Sequence, residues 1–170
     1  MNRYAQEKWS WIEGTHGMRL QLLDALSDEH LAFNPGGANV TLGALCRESG
    51  DVEYSYIQSL KTFTQDWSYH NDAPGIESSV AQLKAWYQQM DAEMKALVEG
   101  FSDDTLTKTI DRGTGFSVPV ETQLDIYLQA LLIFFGKVSI YCRMLNIEMT
   151  PTFQEYIGER ALPGGWSGGG

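Results

Sequence analysis

The side chains of this chain that could bind a metal or move a proton are few and far apart in sequence. Its three histidines are His16, His30 and His70. Imidazole nitrogens serve both as zinc ligands and as general bases. His30 and His70 fall in segments between predicted helices, so a three-histidine metal site would require both segments to fold over one end of the molecule. We expect instead one partly buried histidine and two at the surface.

His16 and Glu48 are the strongest candidates for a pair that does chemistry. His16 lies on the inner stripe of the first predicted helix, and Glu48 lies beside the inner stripe of the second. A buried pair of this kind could act as a general base with its orienting carboxylate. The alternative is a purely structural pair, which the sequence favours because a carboxylate beside the core needs some partner.

Lys137 and Tyr141 are spaced by four residues and therefore share one face of the fourth predicted helix. They either extend toward the end of the bundle or anchor a ligand, and the first interpretation is favoured. The sequence contains no GxSxG motif and no P-loop. Cys46 and Cys142 fall within helical patterns, which predicts two buried free thiols in a reducing compartment.

Four amphipathic helices are predicted to position these side chains. Apolar residues at spacings of three and four define each helix. The predicted bounds are Arg3 to Leu26, Thr41 to Thr64, Ser78 or Ser79 to Gly100, and Thr122 to Asn146. Connections of about a dozen residues between such helices are typical of a bundle with crossing loops. The sequence therefore predicts an all-α fold, a four-helix bundle.

Two departures from a plain bundle are expected. Gly14 and Gly17 weaken the first helix, which predicts either a bend there or close approach of another backbone. Residues 105–110 and 116–120 alternate in polarity with a period of two, which predicts a small β-hairpin between the third and fourth helices. Pro119 restricts that hairpin to an edge.

Length and charge restrict the classes of function. The chain has 170 residues, which suits one domain, and we predict that the bundle spans 1–160 and that 161–170 form a Gly-rich tail or linker. A formal net charge of -10 disfavours nucleic acid and anionic membrane surfaces as partners. The N-terminus has no signal-peptide pattern, and the longest apolar stretch, 126–135, is too short to span a membrane. A cytoplasmic location is predicted.

Several segments resemble one known family. They are 28–35 (DEHLAFNP), 41–53 (TLGALCRESGDVE), the hairpin before the fourth helix, the stretch that begins FFGKV at 134 and ends RMLN at 146, and 149–158 (MTPTFQEYIG). With four helices in this arrangement, the chain resembles the DinB/YfiT-like family of metal-dependent enzymes over nearly its whole length. The resemblance implies a four-helix bundle with crossing loops.

The same resemblance implies where a metal would be bound. Members of the family that bind a divalent ion use one histidine in the second helix and two histidines four residues apart in the fourth. The matching positions here are Glu48, Ala130 and Phe134, and none of them is a histidine. Two of the three lack any lone pair, so we predict no metal and no cofactor.

The predicted function follows from this loss. The family's thiol-dependent transfer chemistry requires an ion that ionises a thiol or water near neutral pH. We predict a DinB-like bundle without that site, acting as a non-catalytic small-ligand-binding protein or a structural homodimer. The fourth helix is apolar on two faces, which indicates either the bundle centre or half of a dimer interface. The alternative is a thiol transferase or hydrolase-like enzyme whose relocated site uses Glu48, His16 and Lys137 in the central cavity.

Overall fold

The computed structural model describes residues 1–113 and 115–157 of the chain. Its elements are α1 (Arg3–Glu7), α2 (Trp9–Asp24), α3 (Asp28–Leu31), α4 (Leu42–Thr62), α5 (Val80–Gly100), α6 (Asp103–Leu106), β1 (Thr109–Asp111), β2 (Ser117–Pro119), α7 (Val120–Met144) and α8 (Pro151–Ile157). The four long helices α2, α4, α5 and α7 confirm the predicted all-α bundle. α4 packs against both α5 and α7, and α2 packs against the same two helices.

Helices α4 and α5 start and stop close to the predicted bounds because their local signals are strong. The Thr41 hydroxyl accepts a hydrogen bond from the Ala44 amide, and Ser79 caps α5 in the same way. Between the helices lies one apolar core, in which Leu60, Leu83 and Phe135 are completely buried. Burial of this kind supplies the main driving force for a bundle.

The first helix differs from the prediction in where it is interrupted. The break lies at Lys8, between α1 and α2. Tyr4 and Lys8 both bond to Asp125 of α7, at 3.0 and 2.8 Å, a tertiary contact that periodicity cannot reveal. The helix continues through Gly14 and Gly17, and the close approach expected there is wrong, because a Cβ at either position would meet nothing within 4 Å.

A small antiparallel hairpin does precede the fourth helix, but its first strand is shorter than predicted. Ile110 pairs with Val118, and the strand covers only the last residues of the predicted 105–110 segment. Residues 103–106 form α6 instead, because the Ser102 hydroxyl accepts a hydrogen bond from the Thr105 amide and starts a helical turn. α7 then begins directly after Pro119, two residues before the predicted start.

The connection between α4 and α5 folds back along α4. The Asn71 amide donates to the Asp51 carboxylate at 2.9 Å, and the Gln65 side chain donates to the Ser55 hydroxyl at 2.6 Å. Gly43 lies against this connection so closely that a Cβ there would be 1.8 Å from the Glu77 carbonyl oxygen. The first turn of α4 is therefore fixed by a contact that only glycine permits.

Within the described residues, α7 alone is long and apolar enough to cross a membrane on length and composition. Its most apolar window has a mean hydropathy of 1.4, and 44% of that window is buried within the bundle. Core helices of water-soluble bundles meet the same criteria. Its exposed face carries Leu132, Ile133, Ile140 and Met144, so α7 is apolar on the outside as well as toward the core.

Candidate functional site

A pocket lies between α4 and α7, with a volume of about 200 Å³. Its lining is mainly apolar, with Glu48 and Lys137 as the charged members. The lining residues are Leu45, Glu48, Ser49, Val52, Tyr127, Ala130, Leu131, Ile133, Phe134 and Lys137. Small-molecule sites typically combine such an apolar wall with a few polar groups that fix orientation.

The structure brings most of the predicted site residues together at this pocket. Glu48, Ala130 and Phe134, the positions matched to the family's metal ligands, all line it together with Lys137. Tyr141 lies in an adjoining recess of about 530 Å³, which shares Glu48 and Lys137 with the first pocket. These five residues therefore form one continuous surface, although they come from positions nearly a hundred residues apart in sequence.

Glu48 and Lys137 keep their charges available to a ligand. The Glu48 side chain is 47% exposed, and its one salt bridge among the described residues is a 3.9 Å approach to the Arg47 guanidinium. Lys137 is exposed and forms no salt bridge with the part of the chain that the structure describes. Tyr141 is committed elsewhere, because its hydroxyl donates to the Val40 carbonyl oxygen at 2.9 Å. Burial, with the Glu48 charge as a secondary cause, raises the pKa of Tyr141.

The residues at this pocket do not fit the divalent ion that the sequence resemblance implies. Ala130 and Phe134 have no donor atom, which leaves Glu48 as the only carboxylate in the lining. Lys137 adds a positive charge that would repel a cation. A single exposed carboxylate beside an ammonium group cannot compete with water for a transition metal.

His16 lies outside the α4–α7 pocket and does not pair with Glu48. Its Nδ1 is 2.9 Å from an Asp91 carboxylate oxygen, and its Nε2 is 2.7 Å from the Tyr127 hydroxyl and 3.9 Å from Glu53 Oε1. The predicted His16–Glu48 pair is therefore wrong. The physical reason is helical phase: the Glu48 side chain faces solvent, whereas Glu53, five residues later, is completely buried.

A buried charge cluster forms around this histidine; we define it as His16, Arg19, Glu53 and Asp91. The Arg19 guanidinium bonds to Glu53 through Nη1 and to Asp91 through Nη2, and it lies 3.8 Å from the centre of the Tyr87 ring. Arg19 and Glu53 are completely buried, and the Asp91 side chain is 16% exposed. The cluster joins α2, α4 and α5 at the centre of the bundle.

Burial and mutual contact shift the pKa values within the cluster in opposite directions. Burial raises the pKa of the Glu53 carboxyl, even though Arg19 and His16 oppose that rise. Burial also acts on Asp91, but its hydrogen bond with His16 and the Arg19 charge outweigh it and lower the Asp91 pKa. Burial and the Glu53 charge raise the pKa of Tyr127 well above 10, so its hydroxyl stays protonated.

Sequence reasoning missed Arg19, Glu53 and Asp91. A usable signal was present for the first two, because Arg19 lies four residues before Leu23 and Glu53 four residues before Ile57, and both apolar residues are buried. Charged residues on the buried face of a helix require partners there. Asp91 follows the buried Met90 and carries no comparable signal in the sequence.

The remaining candidates have local structural roles. His30 Nδ1 accepts a hydrogen bond from the Ser27 amide at 3.0 Å, and His70 is exposed beside Arg47. The expectation was one partly buried histidine and two at the surface; the structure buries His16 fully, leaves His30 half-buried and exposes His70. Cys46 and Cys142 are completely buried, as predicted, with no disulfide between them, and burial raises the pKa of Cys46 to about 12.

The arrangement of helices and hairpin defines the chain as a DinB-like four-helix bundle. A DinB-like protein from Bacillus cereus ATCC 10987 superposes with a TM-score of 0.70 at 16% sequence identity, covering 86% of this chain and 93% of that one. The DinB-like protein YjoA from Bacillus subtilis superposes with a TM-score of 0.66 at 14% identity, covering 81% and 90%. No protein-family model matches the sequence, and no curated protein matches it either. The predicted fold is confirmed, and the similarity concerns the fold alone.

Proposed function

We propose that this chain binds a small molecule with an apolar body and a charged end in the pocket between α4 and α7. The observation that carries the proposal is the pocket itself, which has a volume of about 200 Å³ and a mainly apolar wall. Its two charged groups are the Lys137 ammonium, which forms no salt bridge with the described residues, and the Glu48 carboxylate, which is weakly paired with Arg47. The lining offers no metal-binding set, so the proposed role is binding without the metal chemistry that the fold resemblance implies.

The two charges make the proposal specific. A cationic end group would pair with Glu48, and an anionic one with Lys137, while an aromatic or aliphatic body would contact Val52, Ala130 and Phe134. Both charged groups lie at a partly exposed site, where each pairing contributes less than about 1 kcal/mol. Most of the affinity therefore comes from the apolar wall, and the charges select among ligands.

Ligand-observed NMR with three aromatic probes tests this proposal: indole, benzylamine and phenylacetate. We expect saturation transfer to the aromatic protons of at least one probe, and its loss in Ala130→Trp, which fills the pocket. The matched control is Gln88→Trp on the exposed face of α5, which adds the same side chain away from the pocket. Glu48→Gln should weaken benzylamine selectively, and Lys137→Met should weaken phenylacetate. Equal signals in Ala130→Trp and Gln88→Trp would refute the proposal.

A second proposal concerns assembly, and it rests on the outer face of α7. Ile133, Ile140 and Met144 are each more than half exposed on that face, although large apolar side chains usually avoid such contiguous exposure. We propose that a second copy of the chain covers this face in a homodimer. Sedimentation equilibrium should give a dimer for the wild type and a monomer for Ile140→Glu. The control is Ala92→Glu on α5, and a monomeric wild type at high micromolar concentration would refute the dimer.

A relocated catalytic site built from Glu48, His16 and Lys137 is not favoured by the geometry. Glu48 and Lys137 share the pocket, but His16 contacts Asp91, Tyr127 and Glu53 instead. The His16 imidazole is therefore not placed beside the pocket's two charged groups. The enzyme alternative would require a different base.

A further inference from the structure

The buried charge cluster holds more negative than positive charge. Glu53 and Asp91 contribute two carboxylates, and Arg19 contributes one guanidinium, so the cluster has a charge of -1 when the His16 imidazole is neutral. A residual charge at the centre of a bundle costs several kcal/mol unless a cation is supplied. The composition of the cluster therefore calls for one further positive charge, which either a proton or a metal ion can supply.

A second observation shows where that group would be bound. Glu53 is completely buried, and Arg19 occupies only its Oε2. The other oxygen, Oε1, has no hydrogen-bond partner among the described residues and faces His16 Nε2 at 3.9 Å. A buried carboxylate oxygen without a partner is rare in a folded protein and marks an unfilled interaction.

The donor atoms are close enough together for one metal ion. One ligand atom each from His16, Glu53 and Asp91 lies within 4.8 Å of the others. Ligands bound at about 2.1 Å lie roughly 3.4 Å apart at a tetrahedral angle, so contraction by less than about 1.5 Å would complete the site. We propose that this cluster binds one divalent transition-metal ion, of the zinc or manganese type, through one imidazole and two carboxylates.

Arg19 and Tyr127 determine how strong such binding would be. Arg19 keeps one oxygen of each carboxylate and adds a repelling charge, so the affinity should lie below that of a closed structural zinc site. The Tyr127 hydroxyl, 2.7 Å from His16 Nε2, would have to rotate away for that nitrogen to become a ligand. Entry is possible at Asp91, whose side chain is 16% exposed.

This site is distinct from the positions matched to the family's metal ligands. Those positions lie in the α4–α7 pocket, whereas the cluster joins α2, α4 and α5. The proposal departs from the sequence-based prediction that the chain holds no metal. It does not depend on the proposed ligand pocket, because no probe that binds there needs to contact the ion.

Isothermal titration of the chelator-treated, full-length chain with zinc and with manganese tests the proposal, together with the visible absorption of added cobalt. We expect one ion per chain and a cobalt spectrum of a four- or five-coordinate site. Asp91→Asn should weaken binding at least tenfold. The matched control is Glu93→Gln, two residues along the same helix, whose half-buried carboxylate pairs with Lys61 and not with the cluster; it should leave metal binding unchanged.

Glu53→Gln provides the sharper variant, because the amide keeps the shape of the carboxylate and removes its charge. We expect it to abolish binding. If that variant does not fold, as judged by circular dichroism, Asp91→Asn decides the question alone. A proton on His16 or on Glu53 is the competing source of charge. A doubly protonated imidazole in ¹⁵N NMR or a neutral Glu53 carboxyl in ¹³C NMR at pH 7.5, without ion binding at millimolar metal, would overturn the proposal. Equal affinity in Asp91→Asn and Glu93→Gln would also overturn it.

Discussion

Replacing Arg19 with methionine tests how the buried charge cluster contributes to stability. The guanidinium is completely buried and bonds to Glu53 and Asp91 at once. Methionine preserves much of the volume of the side chain and its contact with the Tyr87 ring, but it removes the only permanent cation in the cluster. The Glu53 and Asp91 carboxylates would then lack their guanidinium partner at a largely buried site.

The expected cost follows from that burial. Removing one partner of a buried ion pair destabilises a protein by about 3–5 kcal/mol, because an uncompensated charge remains. For a chain of this length, each kcal/mol lowers the melting temperature by about 2–4 °C, which gives a drop of roughly 6–20 °C. The double variant Arg19→Met with Glu53→Gln should recover part of the loss, since it removes one of the stranded charges.

Urea unfolding followed by circular dichroism measures these free energies. The control is Lys61→Met, which breaks a pair with Glu93 whose side chains are 37% and 34% exposed, and which should cost less than about 1 kcal/mol. The pKa of Asp91 is held low in the folded chain, so its stabilising effect is present above about pH 4 and is lost as the pH falls through the folded value. The deficit of Arg19→Met should therefore be full at pH 7 and smaller in acid. A cost near that of Lys61→Met at pH 7 would refute the reasoning.

Two further predictions concern packing and thiol chemistry. Gly43→Ala should destabilise the chain by about 1–3 kcal/mol, because the new Cβ would lie 1.8 Å from a backbone oxygen. Gly14→Ala has open space around it and should stabilise the chain by roughly 0.5–1 kcal/mol. Urea unfolding that ranks the two variants in the opposite order would contradict this prediction. Cys46 and Cys142 should not react with Ellman's reagent in the native chain at pH 8, because both are buried and burial raises the pKa of Cys46 to about 12. Both thiols should react in urea. Rapid labelling of the native chain would contradict their burial.

The fold could be predicted from the sequence because its signals are local. Leu83, Met90 and Met94 recur on one face of α5, and Thr41 and Ser79 start their helices with side-chain caps, so the four long helices could be placed without tertiary information. The interruption at Lys8 was not predicted; Lys8 bonds to Asp125, more than a hundred positions away, a contact that the local pattern does not encode.

The candidate site was predictable only in part, for the same reason. The resemblance placed Glu48, Ala130 and Phe134 in one site between the second and fourth long helices, and all three line the pocket between α4 and α7. The partner of His16 was misassigned, because a helical stripe specifies which side chains face inward but not which of them meet across helices. Asp91 lies in α5, where the pattern of apolar residues predicted only packing against other helices. Its contact with His16 could therefore be found only from the three-dimensional structure.

The position of Arg19 between two carboxylates also limits how the helices can be arranged. α2 supplies the guanidinium, and α4 and α5 supply one carboxylate each. A slip of any one of these helices by a turn, about 5.4 Å, would leave a charged group facing hydrocarbon, whereas an apolar seam could accommodate such a slip with little loss. Three hydrogen-bonded polar side chains thus favour a single alignment among the several that leucine and methionine packing alone would allow.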